Sequence, residues 1–329
     1  MQVEFCFIGF VNDMVKNNEM NMQVEQPKVV VICGPTCTGK TALSIQIAQA
    51  VNGEIISADS MQVYRRMNIG TAKPTREEQA RVPHYMIDIV NPDEHFDAAQ
   101  FAMIAGSKIT QLHEQGKISL VVGGTGLYIK ALLYGLSRAR PADSNVLLRL
   151  KHEASAYGTD VLYQRLCECD MTAASKIHPN DIFRLIRALE IFEVTGKTIS
   201  SFHQQHRFKD KQFNCLQVGL TMDRNTLYDR INRRVDMMID KGLLNEVQSL
   251  LSEGYDEKLK AMQSIGYRHM VDYIQKRCSW EETVTLLKRD TRRYAKRQMT
   301  WFRYDTNILW REHCQADDVI ETIQRFIKE

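Results

Sequence analysis

The apolar run Val29-Val30-Val31-Ile32-Cys33 leads directly into Gly34-Pro35-Thr36-Cys37-Thr38-Gly39-Lys40-Thr41, and no other stretch limits the fold of this chain as strongly. The eight residues after the run match G-x-x-x-x-G-K-[ST] in full, the pattern of a phosphate-binding loop between a buried strand and a helix. Gly34 and Gly39 permit dihedrals that side chains resist, and a helix starting near Lys40 turns backbone N–H groups and its dipole toward an anion. Lys40 adds a point charge for the phosphates, and Thr41 offers its hydroxyl to a phosphate-bound Mg²⁺. The unit predicts an α/β fold: a P-loop core with a parallel sheet flanked by helices, its site beyond the carboxyl ends of the strands.

At 329 residues, 44% of them hydrophobic and 25% charged, the chain has room for a substantial core and for two domains. A formal charge of +3 is too small to diagnose a nucleic-acid binder, so the distribution of charge has to decide. The eight cysteines, at 6, 33, 37, 167, 169, 215, 278 and 314, include no C-x-x-C pair and no zinc spacing, and read as reduced thiols of a cytoplasmic protein. Cys167 with Cys169 and His203 with His206 are isolated pairs and are set aside as metal ligands. The apolar run over 5–11 is too short to span a bilayer and lacks a basic segment ahead of it, so neither a membrane anchor nor secretion is expected. Residues 1–27 read as a flexible N-terminal extension, with Met22 a possible second start.

Beyond the loop, helical spacing over 42–51 gives way to a second strand that ends at Asp59-Ser60-Met61-Gln62. Asp59 is thereby a carboxylate beside the phosphate loop, although an Asp capping the next turn has the same appearance. Residues 68–92 form a loop-rich passage with Lys73 and Arg76 as candidate backbone contacts. A helix over 97–115 and a strand over 118–122 follow. That strand runs into Gly123-Gly124-Thr125-Gly126 where an ATP-hydrolysing enzyme would place a Mg²⁺-organising Asp, which argues against ordinary ATP hydrolysis.

Residues 138–204 contain no strand candidate and read as an inserted helical subdomain, leaving 28–137 and 205–329 to the α/β core. Within the insertion Arg184 and Arg187 share a helix face, placed either to grip phosphates or to pair with Asp181, Glu190 or Glu193. In the last third, Ser279-Trp280-Glu281-Glu282 opens a helix with Arg289, Arg293, Lys296 and Arg297 on one side, opposed only by Asp290. Such a face near Tyr294, Trp301 and Phe302 suits a polyanion whose bases can stack.

Taken in order, 34–41, Asp59-Ser60-Met61-Gln62-Val63-Tyr64, Gly70-Thr71-Ala72-Lys73-Pro74, Gly123-Gly124-Thr125-Gly126-Leu127-Tyr128, the Asn180-Asp181 to Glu190 segment and 291–302 resemble the tRNA dimethylallyltransferases, from about residue 28 onward. The resemblance implies transfer of a dimethylallyl group from its diphosphate, with Mg²⁺, to N6 of the adenosine 3′ to the anticodon, at tRNA position 37. It implies Asp59 as general base, Thr125 orienting the amine, and Gly34, Pro35, Thr36, Cys37, Thr38, Gly39, Lys40, Thr41 and Arg234 on the diphosphate. For the anticodon stem-loop it implies Asp59, Ser60, Met61, Gln62 and Thr125, then Phe183, Arg184, Leu185, Ile186 and Arg187. Gln263, Ser264, Ile265, Gly266, Tyr267 and Arg268 join them, with Arg293, Lys296 and Arg297. The expected enzyme is a cytoplasmic monomer acting on a base flipped from its stack. Cys37 and Thr38 stand where the family often has Ala and Ser, Leu147 stands where members commonly carry an RNA-contacting arginine, and no eukaryotic-type zinc finger is present. The phosphate loop taken alone would equally admit a small-molecule kinase, and the basic helix a non-catalytic RNA-binding module.

Overall fold

The computed structural model describes residues 26–136, 143–206, 212–312 and 315–329, with the backbone alone at 203, 205 and 206. Residues 1–25 of the N-terminal extension, including Cys6, residues 137–142 and 207–211, Cys314 and the imidazoles of His203 and His206 lie outside that description. In chain order the first half is β1 (Lys28–Cys33), α1 (Lys40–Ala50), β2 (Gly53–Ser57), α2 (Arg76–Arg81), β3 (His84–Tyr85), α3 (Ala98–Glu114), β4 (Ile118–Gly123) and α4 (Gly126–Tyr134). Helices α5 (Ser144–Tyr157), α6 (Thr159–Cys169), α7 (Met171–Ala174), α8 (Ile182–Thr195) and α9 (Ile199–His206) follow. The chain then returns through β5 (Asn214–Thr221), α10 (Arg224–Asp240), α11 (Leu243–Ser252), α12 (Tyr267–Ile274), α13 (Trp280–Arg303), β6 (Ile308–Glu312) and α14 (Ala316–Lys328).

The six strands form one parallel sheet in the order β3-β2-β4-β1-β5-β6. β1 lies inside the sheet, paired with β4 and β5, and Val29 to Cys33 are fully buried. A strand covered on both faces reads as an unbroken apolar run, which is why β1 and β4 were legible. β3 and β6 were not. The first has two residues, and the second is an edge strand, Ile308-Leu309-Trp310-Arg311-Glu312, with Leu309 exposed.

Two clusters cover the sheet. On one face Leu43, Ile45 and Ile47 of α1 and Val319 and Ile323 of α14 pack against Val30, Ile32 and Leu120. On the other, α3, α4 and the helices from α11 to α13 pack against Val29, Val31 and Val121. The helices of the inserted segment have their own core of Leu150, Leu162, Leu166, Leu185 and Leu189, separate from both. Leu147, the departure noted above, is packed against that core, and Arg149 is engaged by Glu193.

Both phosphate-loop strand β1 and its neighbour β4 deliver glycine turns at the same sheet edge, with Cys33 paired to Gly123. Ala58 continues β2 there by donating to the Val122 carbonyl at 2.8 Å, and the next residue is Asp59. Three strand ends thus converge on one place.

Candidate functional site

The loop over 34–41 depends on three residues with positive φ, Gly34 at 133°, Cys37 at 68° and Gly39 at 91°. At Gly34 a Cβ would also stand 2.5 Å from the Leu220 carbonyl oxygen, so glycine is required twice over. Thr38 Oγ1 and Lys40 Nζ both donate to the Pro35 carbonyl, at 2.9 and 2.7 Å, which folds the loop over its own lysine. No side chain caps the N-terminus of α1, an open end suited to an anion. Burial, with Arg234 nearby, pushes the Lys40 ammonium down to about 8, against the pull of Asp59.

The loop forms one wall of a cavity of about 890 Å³. Thr36, Cys37, Gly39, Lys40 and Thr41 line it, with Asp59 to Gln62 and Gly124, and with Arg230, Arg233 and Arg234 from α10. Gln263, Ser264, Ile265 and Gly266 close another side, and Thr291, Tyr294, Arg297 and Gln298 of α13 form the wall facing the loops. Among the described residues no carboxylate pairs with Arg230, Arg233 or Arg234 within 4.0 Å, so the α10 wall is a patch of uncompensated positive charge. Gly34, Pro35 and Thr38 shape the loop from behind.

Asp59 does two things at once. Its Oδ1 accepts from the backbone of Met61 at 2.8 Å and of Gln62 at 3.4 Å, which caps the following turn. Oδ2 has no donor among the described residues and belongs to a side chain on the cavity wall. The Thr125 hydroxyl accepts from Ser60 N–H at 3.0 Å and donates to Ser60 Oγ at 3.4 Å. Gln62 is tied down, accepting from Ser57 Oγ at 2.8 Å and donating to the carbonyls of Thr71 and Ala72.

Behind this turn lies an arrangement that sequence inspection did not reveal. Glu246 of α11 accepts from the backbone N–H groups of Asn68, Ile69 and Gly70 and from the Tyr267 hydroxyl at 2.6 Å. The Tyr267 ring lies so close to Gly70 that a Cβ there would stand 2.4 Å from it. Tyr267 is 0% exposed and is therefore corrected from an RNA contact to a prop for the 68–70 loop. Lys73, offered as a backbone contact, is likewise spent inside the fold on the Tyr64 carbonyl and on Asp88 at 2.6 Å.

The structure divides the residues expected on RNA. Phe183 is 81% exposed beside Arg184, but Leu185 and Ile186 are buried in the core of the inserted helices, where no side chain reaches RNA. Arg184 pairs with Asp181 at 3.3 Å and Arg187 with Glu190 at 2.6 Å, the second of the two arrangements left open above. None of the five lines the cavity. Gln263 is exposed at the cavity rim, whereas Arg268 bonds Asp290 at 2.6 Å.

Asp290 gathers Arg268, Arg289 and the buried His269, and holds Arg293 more loosely at 3.8 Å. Arg293 and Lys296 remain exposed along the outer side of α13, and Arg297, also exposed, reaches the cavity wall. The inner side of the helix carries Tyr294, offered above only as a stacking group beside the basic face, and one turn on Gln298, which was not singled out. Burial and the charge of Asp59 push the Tyr294 phenol up, with Thr125 and Gln298 pulling the other way. The signal was present as a 291-294-298 spacing on a buried face, but nothing in it named the loops it touches. Among the described residues no three His, Cys, Asp or Glu side chains are grouped to hold a metal, and no helix is long and apolar enough to cross a membrane.

A phosphate loop without an acidic residue at the next strand end, facing a carboxylate and an arginine wall, agrees with the motifs that carried the resemblance. Residues 62–305 match the model of the IPP transferase family. The chain belongs to that family. It is 51% identical to the tRNA dimethylallyltransferase of Desulfosudis oleivorans over 92% of this chain and 97% of that protein. The crystal structure of the full-length tRNA isopentenylpyrophosphate transferase of Bacillus halodurans superposes with a TM-score of 0.70 at 41% identity, covering 92% of this chain and 97% of the other. A eukaryotic dimethylallyltransferase described as acting on tRNA matches with a TM-score of 0.73 at 31% identity, over 87% and 74% of the two chains. The chain is a transferase of this family with the P-loop α/β fold that the motifs implied.

Proposed function

We propose that this enzyme transfers a dimethylallyl group from dimethylallyl diphosphate to N6 of the adenosine 3′ to the anticodon, tRNA position 37. The observation that carries the reading is one cavity lined both by Lys40, Arg234 and the open end of α1 and by Asp59 and Ser60, whose N–H is bonded to the Thr125 hydroxyl. The first set suits a diphosphate, and the second suits a neutral amine that must lose a proton.

An adenine amine is a weak nucleophile because its lone pair is delocalised into the ring, so removing its proton as the N–C bond forms lowers the barrier. Asp59 Oδ2 is the base, held in place by the two backbone bonds on Oδ1. Thr125 is the group that orients the amine, itself held by Ser60. As the C–O bond to the diphosphate breaks, charge on the leaving oxygens is met by Lys40, Arg234 and the α1 amides. For Mg²⁺ the donor set is the Thr41 hydroxyl on the cavity wall, which fits an ion that arrives with the diphosphate. Such an ion would neutralise phosphate charge.

The adenosine reaches Asp59 by leaving its stack, and the exposed cations of α13 with the rim at Gln263 hold the stem-loop around it. The domain reading follows: 138–204 forms a separate helical unit presenting Phe183 and Arg184 to RNA. Incubation with radiolabelled dimethylallyl diphosphate, Mg²⁺ and unmodified tRNA should move label into RNA with adenosine at that position and not with guanosine. ATP consumption on a small acceptor without label transfer would favour a kinase instead.

A further inference from the structure

The carboxamide of Gln298 bridges the two glycine turns. It is 6% exposed on α13, accepts from Thr36 N–H through Oε1 at 2.9 Å and donates through Nε2 to the Gly124 carbonyl at 3.0 Å. At Gly124 a Cβ would stand 2.1 Å from Nε2, so the turn is glycine at the point where the amide enters. The sheet sets the separation of β1 and β4 only as far as Cys33 and Gly123. Beyond those residues Gln298 bonds the chain on both sides.

We propose that Gln298 is a positioning residue that fixes the offset between the diphosphate loop and the Gly124–Thr125 turn, and with it the alignment of the two reacting partners. The proposal rests on the reading of the cavity given above. In that reading the prenyl donor is held by Lys40, Arg234 and the start of α1, none of which bonds Gln298, while the amine is oriented by Thr125, the residue after Gly124. Gln298 lies on the cavity wall with its oxygen and one amide hydrogen spent on the two turns, and so spaces both. Because Arg293 and Lys296 project from the outside of the same helix, the element that meets RNA in that reading is also the one that spaces the loops.

Losing the bridge should misalign the partners without releasing either. Displacements near 1 Å from a distant substitution lower rates by about 100-fold. Gln298→Met keeps length and helix propensity while removing both hydrogen bonds, and Gly124→Ala pushes the carboxamide out with Gln298 intact. For each variant and the double, we would measure binding of inorganic diphosphate, and KM and kcat for label transfer from dimethylallyl diphosphate to an anticodon stem-loop RNA. Each single change should lower kcat about 10- to 100-fold, with diphosphate Kd and both KM values within about threefold of the parent and the double no slower than the slower single.

A kcat for Gln298→Met within about twofold of the parent, a diphosphate Kd that weakens in step with the rate, or losses that multiply in the double would each overturn the proposal. Should Gln298→Met fail to accumulate as folded protein, Gly124→Ala carries the same kcat-against-KM test. A parent enzyme that neither binds diphosphate nor transfers label would count against the cavity reading, whereas an active parent with unaffected variants counts against Gln298 alone.

Discussion

In the proposed mechanism the chemistry turns on Asp59, whose two oxygens have different surroundings. With Oδ1 bonded to the Met61 and Gln62 amides and Oδ2 without a donor among the described residues, Asp59→Asn retains an acceptor for the turn and removes the proposed base. Turnover should fall by roughly 100-fold or more with tRNA affinity nearly unchanged, and a filter-binding titration beside the rate assay separates the two. Lys40 supplies a second test. Its ammonium is pushed down to about 8, so the free enzyme loses that charge as pH rises through this value. Binding of dimethylallyl diphosphate, which restores the charge, should weaken from about pH 7 to about pH 9 and take up protons near pH 8, as calorimetry in buffers of different ionisation enthalpy would read. An affinity that stayed flat over that range would remove Lys40 from the titration. At this scale Asp59, Thr125 and the loop were legible because each lies at a fixed offset from a strand end. The burial of Tyr267 and Lys73 was not, since it depends on Glu246 and Asp88, residues that no local pattern associates with them.

Helix α13 is the element with two faces. Its capping box between Ser279 and Glu282 and its charge asymmetry are written in consecutive residues and were read directly. Arg293→Ala with Lys296→Ala leaves Tyr294 and Gln298 untouched, and should weaken tRNA binding while reducing the slope of log K against log salt by about one to two units. An unchanged slope in that titration would take the helix off the RNA. The inner face is a different matter, since Gln298 meets Thr36 across a separation of 262 residues. β6 was missed for a related reason: an edge strand with an exposed Leu309 needs β5 beside it before its pattern has meaning.

For the whole molecule, the inserted helices share a core that contains no residue of the sheet clusters. Leu185→Ala, removing a fully buried side chain from that core, should destabilise the insertion by about 3 kcal/mol. Diphosphate affinity should remain at the parent value while tRNA binding falls. Calorimetry showing one transition lowered as a unit, with diphosphate binding lost alongside, would mean that the insertion and the core do not fold separately.

The sequence by itself determined the parallel α/β core, the phosphate loop, the placement of Asp59 and Thr125 at neighbouring strand ends, and the basic face of α13. These follow from the period of apolar residues, from glycine at strained dihedrals and from charge along one helix, all properties of near neighbours in the chain. Tertiary structure alone decided that Glu246 and Tyr267 brace the 68–70 loop, that Leu185 and Ile186 turn inward, and that Gln298 joins two turns the sheet leaves apart. Those contacts are bonds between groups distant in the chain, and only the packing of α11, α12 and α13 against the strand ends brings them within reach.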